Sequence, residues 1–187
     1  INDNSDIAIF NHGIFTTILN NTIKYNEQDG IKIASGGART TIDSNNLVDN
    51  EGKAIAILAN TVTIKSNTID GDSSEIAVSV LNANSVSIEN NTIEGGSQGI
   101  KVQNGSNSFI YKNTVKSNSG YGIYLLINSA SGDVKNNTIT DNEDHAIVIS
   151  ASNFTEIYNN TVNENAGYGL YSINSKLLLV KGNTIED

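Results

Sequence analysis

Cysteine, proline, methionine and tryptophan are all absent from the 187 residues. Without Cys there are no disulfides and no thiolate metal sites, and with His12 and His145 as the only histidines a copper or zinc centre lacks its usual ligands. Positive charge is scarce: 11 Lys and Arg face 20 Asp and Glu, a formal charge of −9 that repels nucleic acid and anionic membrane surfaces. No stretch approaches 18 consecutive apolar residues, so no helix is expected to insert in a membrane. What remains is 37% hydrophobic residues, enough to fill one core if the pattern concentrates them.

The pattern does so by repetition. Asn returns at Asn21, Asn45, Asn67, Asn91, Asn113, Asn137, Asn160 and Asn183, at intervals of 22 to 24 residues. An aliphatic residue follows two positions later each time (Ile23, Leu47, Ile69, Ile93, Val115, Ile139, Val162, Ile185), and the residue between is Thr except at Asn46. Three positions before each Asn stands Ile or Val, from Ile18 to Val180, in short alternating runs that read as strand. A further strand opens each repeat as Ile7-Ala-Ile, Ile31-Lys-Ile, Ile55-Ala-Ile, Ile76-Ala-Val, Ile100-Lys-Val, Ile123-Tyr-Leu, Ile147-Val-Ile and Leu170-Tyr-Ser. A unit of three short strands cannot bury its apolar face alone, so successive units must stack, at roughly 4.8 Å per coil. The reading is all-β: a single-stranded parallel β-helix of about eight coils with three strands each. The Asn column forms an internal ladder of amide hydrogen bonds. Residues 1–187 are expected to be one such segment of a longer chain or assembly.

These features resemble the right-handed parallel β-helix superfamily of pectate lyases and related carbohydrate-active proteins. The runs Asn90-Asn-Thr-Ile, Asn136-Asn-Thr-Ile and Asn159-Asn-Thr-Val are most similar to the short repeats of NosD-like and mannuronan-epimerase-like proteins. The resemblance implies the right-handed sense of coiling and places the Ile-x-Ile segments on the first strand. Pectate-lyase-like enzymes carry calcium-binding carboxylates and a basic catalytic residue outside that strand. The comparable positions here are Ala8, Lys32, Ala56, Ala77, Lys101, Tyr124, Val148 and Tyr171, none of them acidic, and the single arginine, Arg39, lies in another turn. Polygalacturonase-like hydrolysis needs converging Asp residues, for which only Asp141 and Asp144 come close. The Asp-Pro-His motif of the epimerase-like proteins has only a partial echo in Asp144-His145. No catalytic residue is assigned.

Two features suggest ligands. Fourteen of the twenty acidic residues fall in the turn after the third strand, and stacked carboxylates repel unless cations lie between them, so calcium is a candidate at Asp70, Asp72 and Glu75. Tyr121-Gly-Ile-Tyr124 and Tyr168-Gly-Leu-Tyr171 lie two coils apart with His145 at the equivalent position between them. Tyr121, His145 and Tyr168 then stack in one column beside Tyr124 and Tyr171, with Asp144 close by, a surface on which sugar rings dock well. Of the six Asn-x-Ser/Thr sequons, Asn104 and Asn153 sit in turns suited to glycosylation. The resulting expectation is a non-catalytic, extracellular or cell-surface structural or adhesion module that binds a polysaccharide or glycan and calcium. The alternatives are a polysaccharide lyase, hydrolase or epimerase, and a homo-oligomer or filament built through the coil ends.

Overall fold

The structure is a computed structural model that describes residues 1–71 and 75–186. It contains 24 strands, most of three residues, in three eight-stranded parallel sheets. The first sheet runs from Ile9–Asn11 to Leu170–Ile173, the second from Thr17–Leu19 to Leu179–Lys181 and the third from Thr22–Lys24 to Thr184–Ile185. In each sheet every strand pairs with its counterpart one coil away. The chain is therefore a solenoid of eight coils, as the repeat predicts.

Each strand is short because a residue in the left-handed region ends it. At the corner between the second and third sheets this residue is Asn20, Ser44, Ser66, Asn90, Lys112, Asn136 or Asn159, with φ between 54° and 57°, or Gly182 at 65°. Comparable columns mark the other corners, through Arg39, Thr61, Ser85 and Asn107 at one and Tyr25, Ser117, Asp141 and Glu164 at the other. One such residue turns the chain sharply enough to begin the next strand. The middle residue of each three-residue strand in the second and third sheets then points inward. Ile42, Ile64 and Ile88 stack in one column and Ile23, Leu47, Ile69 and Ile93 in another, all fully buried. First-sheet strands contribute two inward residues each, as in Ile31 and Ile33.

The predicted Asn ladder runs unbroken from Asn21 to Asn183. Asn91 illustrates the unit: its amide donates to Asn113 Oδ1 at 3.0 Å, to Ile64 O at 3.0 Å and to Glu89 O at 3.1 Å. Its own Oδ1 accepts both the backbone N–H and the amide of Asn67, at 2.9 and 3.0 Å. Every ladder amide thus satisfies backbone groups at a corner where the strand ladders are interrupted. The sequence reading missed a second ladder in the turn after the third sheet. Its two parts are Asn4, Asn26 and Asn50, and Asn118, Asn142 and Asn165. Its signal was an Asn five residues after the first-ladder Asn; at the two coils between, that offset falls on Asp72, outside the described residues, and on Gly96.

Replacing Asn91 by Ala strands the Asn67 donors and the Ile64 and Glu89 carbonyls in the interior, so Asn91→Ala is expected to cost about 2–3 kcal/mol. Asn90→Gly, one residue earlier on the exposed left-handed corner, should change stability by less than about 0.5 kcal/mol. Chemical denaturation of the two variants checks the contrast.

Candidate functional site

The outer face of the first sheet is defined by its register. Pairing aligns Phe10, Lys32, Ala56, Ser79, Lys101, Tyr124, Val148 and Tyr171 in one outward column. This corrects the expected column at two points: Phe10 stands where Ala8 was placed and Ser79 where Ala77 was placed. In both coils the alternation runs on past the first Ile-x-Ile or Ile-x-Val, most clearly in the six-residue strand Ile76–Leu81. A slip of two residues keeps the same side chains inward, so alternation alone does not fix the frame. The corrected column is still free of carboxylates. Where its side chains are smallest, at Ala56 and Ser79, lies a hollow of about 190 Å³, flanked by Lys32, Lys53, Leu58 and Leu81. Two ion pairs border it, Lys32–Asp29 at 3.5 Å and Lys53–Glu75 at 3.4 Å.

Farther along the same face the aromatic residues come together as the sequence predicts. Tyr121 stacks on His145 with ring centroids 5.6 Å apart, and His145 lies 5.0 Å from both Tyr168 and Tyr171. Tyr168 and Tyr171 stack at 5.8 Å, and Tyr124 meets Tyr121 edge to face at 5.2 Å. Val148 points outward between Tyr124 and Tyr171 yet is only 4% exposed, whereas Tyr168 is 64% exposed. The Lys101 ammonium lies 5.8 Å from the Tyr124 ring centroid. The result is a tiled surface spanning three coils, rigid because the rings pack on one another.

His145 is held by its Nδ1. The backbone N–H of Tyr168 donates to that nitrogen at 2.9 Å, while Asp144 Oδ1 stands 3.1 Å from it. One nitrogen cannot accept the first and donate to the second at once. The backbone contact is shorter and Asp144 Oδ1 already accepts the His145 N–H at 2.8 Å, so Nδ1 is the acceptor and the neutral ring carries its proton on Nε2. Gly167 makes this possible: a Cβ there would fall on His145 Nδ1 and lie 2.7 Å from the His145 backbone nitrogen. The sequence reading did not single out Gly167, although Gly-Tyr-Gly occurs at both Tyr121 and Tyr168. Burial, and then the Asp144 carboxylate, push the Tyr121 phenol above its ordinary range.

Of the residues predicted to hold calcium, Asp70 lies in the third-sheet column beside Glu94 and Glu75 pairs with Lys53, while Asp72 lies outside the described residues. Burial, Asp49 and Glu94 push the Asp70 carboxyl up, against the opposing pull of Lys116, which binds Glu94 at 2.8 Å. Among the described residues no three acidic or histidine side chains are grouped so as to hold a metal ion. Among the sequons, Asn104, with its amide on Asn82, is exposed at a left-handed corner, as are Asn20, Asn90, Asn136 and Asn159, while Asn153 is half-buried and its Oδ1 accepts the Lys176 backbone N–H.

A family model described as a right-handed beta helix region matches residues 58–185. No curated protein sequence matches the chain. Among solved structures, the A-module of the Azotobacter vinelandii mannuronan C-5 epimerase AlgE6 superposes with a TM-score of 0.78 at 20% identity, over 93% of this chain and 52% of that one. The periplasmic alginate epimerase AlgG gives 0.63 at 20% identity over 87% and 44%, and the A-module of A. vinelandii AlgE4 gives 0.60 at 12% over 94% and 73%. The chain spans about half the length of the first of these structures, and at such identities the likeness is one of fold.

Two outcomes follow from the site. Gly167→Ala should push the imidazole off the Tyr168 N–H and alter the His145 ring-nitrogen signals in NMR, while amide exchange at the Asn ladder stays as in the parent. For Asp70, a carboxyl raised above its ordinary 3.8 binds its proton more tightly folded than unfolded. Its contribution is therefore intact below that pH and lost as pH rises through the folded value. Asp70→Asn should raise the Tm slightly at pH 7 and leave it unchanged near pH 3, as thermal unfolding at the two pH values will show.

Proposed function

The chain belongs to the right-handed β-helix family, and on that premise we propose that it is a polysaccharide-binding module whose ligand lies along the outer face of the first sheet, parallel to the solenoid axis. The observation that carries this reading is the alignment on one face of the hollow at Ala56 and Ser79, Lys101, and the Tyr124 and Tyr171 rings two coils apart. Coils rise by roughly 4.8 Å, so the two tyrosines lie about 10 Å apart. That spacing suits an extended chain of pyranose rings, whose C–H faces stack on phenol rings while hydroxyls and acidic groups meet Lys101, Lys32 and Lys53. The solved structures of similar fold, named as mannuronan and alginate epimerases, support a polysaccharide ligand and a location outside the cytoplasm. Within this reading the module is adhesive or structural and acts by holding the chain.

A second reading is favoured by one observation. His145 is fixed through Nδ1 with Asp144 and Tyr121 beside it, which leaves Nε2–H to meet a bound sugar, an arrangement suited to proton transfer. Under this reading the same face turns its polysaccharide over.

Binding to a panel of polysaccharides, with and without calcium, tests both. Tyr124→Ala combined with Tyr171→Ala is expected to weaken binding at least about tenfold; undiminished binding would remove the ligand from this face. Product formation that disappears in His145→Gln would establish the catalytic reading over the adhesive one.

A further inference from the structure

The second sheet carries its own version of the ring, spacer, ring pattern. Register aligns Tyr111, Lys135, Tyr158 and Lys181 in one outward column. Tyr111 and Tyr158 stand two coils apart, about 10 Å along the axis, as Tyr124 and Tyr171 do on the first sheet. Here the spacer is a cation. The Lys135 ammonium lies 4.0 Å from the Phe109 ring centroid, 5.5 Å from that of Tyr111 and 5.4 Å from that of Tyr158. The Lys112 ammonium lies over the Tyr111 ring, 4.9 Å from its centroid.

Positive charge is locally enriched on this patch. Lys135 has only a loose carboxylate partner, Asp133 at 3.9 Å, and Lys112 and Lys181 have no carboxylate within 4.0 Å among the described residues. With Asp133, Glu156 and, paired with Tyr111 in the same column, Glu89 as its acidic neighbours, the patch holds three lysines against three carboxylates on a chain with 11 basic and 20 acidic residues. The Lys135 ammonium is held against three rings, so an anion placed there meets a pre-positioned cation, not a freely moving surface lysine.

We propose that the second sheet is a separate binding track for an anionic saccharide chain, with Tyr111 and Tyr158 stacking on its sugar rings and Lys135 meeting a carboxylate or sulfate between them. Lys112 and Lys181 extend the cationic line at either end. This track stands on residues distinct from those of the first-sheet face and does not require that face to bind. A rod with a saccharide track on each of two adjacent sheets holds two chains side by side and acts as a cross-linker.

The test uses the Tyr124→Ala/Tyr171→Ala variant, in which the first-sheet face is disabled, titrated by calorimetry with neutral, carboxylated and sulfated oligosaccharides. The expected result is binding of an acidic oligosaccharide, with the neutral one at least about tenfold weaker. The carboxylated and sulfated arms identify which acid the track takes. Adding Lys135→Gln and Tyr158→Ala should abolish this binding. Lys181→Gln, at the end of the column and in none of the ring contacts, should weaken it and flatten its salt dependence, which covers the case in which the first pair unfolds the coil. Binding by the wild type but none of any oligosaccharide by the first-sheet variant would overturn the second track and leave the first intact. Residual binding indifferent to the lysine substitutions would also overturn it.

Discussion

The constraint on which the structure depends is the need to satisfy a buried amide at every coil. Asn45, Asn67, Asn91, Asn113, Asn137 and Asn160 are almost fully buried, and each has two donor hydrogens and an acceptor oxygen to place. A hydrogen bond made inside a protein gains only about 1 kcal/mol net, whereas a buried group left unpaired costs about 1–3 kcal/mol. The ladder is therefore more effective as a specification than as glue. It admits one register, in which the Asn of each coil lies directly beneath that of the next, and penalises every slip. Because the coils vary between 22 and 24 residues, something must re-phase them once per turn, and the amide column does this at the corner between the second and third sheets.

Everything displayed on the outside inherits that phase. Tyr121, His145 and Tyr168 stack because each sits at the same offset from a ladder Asn, and the same holds for Tyr111, Lys135 and Tyr158. The surfaces are then ruled at coil spacing along the axis, a geometry that favours extended, repetitive ligands over compact ones. Small residues refine it. Gly167 lets the backbone of one coil come against His145 of the coil before, and Ala56 with Ser79 opens the hollow on the first sheet.

The architecture was legible in the sequence because every coil repeats the statement: eight Asn, eight aliphatic residues two positions later and eight more three positions earlier leave one way to stack. The first-sheet frame was less legible at Phe10 and Ser79, since an alternating strand longer than three residues offers two frames with the same buried face. The second ladder was missed because it is interrupted, its offset falling on Asp72 and Gly96 in the middle of the chain. The aromatic cluster was readable from equivalent offsets alone. The contact of Gly167 with His145 and the reach of Lys135 across three rings were not, because they depend on where flexible side chains settle between coils, which spacing does not encode.

The net charge of −9 opposes an acidic ligand, and the structure offsets this by distance at the second sheet and by ion pairing at the first. The carboxylates concentrate in the turn after the third sheet, while Lys32, Lys53 and Lys101 are on or beside the first sheet and Lys112, Lys135 and Lys181 on or beside the second. Packed sheets stand about 10 Å apart, and at physiological ionic strength the screening length is about 8 Å. A ligand on the second sheet, across the core from that edge, therefore responds mainly to the lysines under it, while beside the first sheet two carboxylates of the edge, Asp29 and Glu75, are taken up by Lys32 and Lys53 at 3.5 and 3.4 Å. Double-stranded DNA presents a charge about every 1.7 Å and would press many phosphates toward that edge at once. A saccharide with at most one acid per ring can follow a lysine line and stay clear of the edge. Charge segregation across a narrow rod thus disfavours nucleic acid and is compatible with the acidic polysaccharide proposed above.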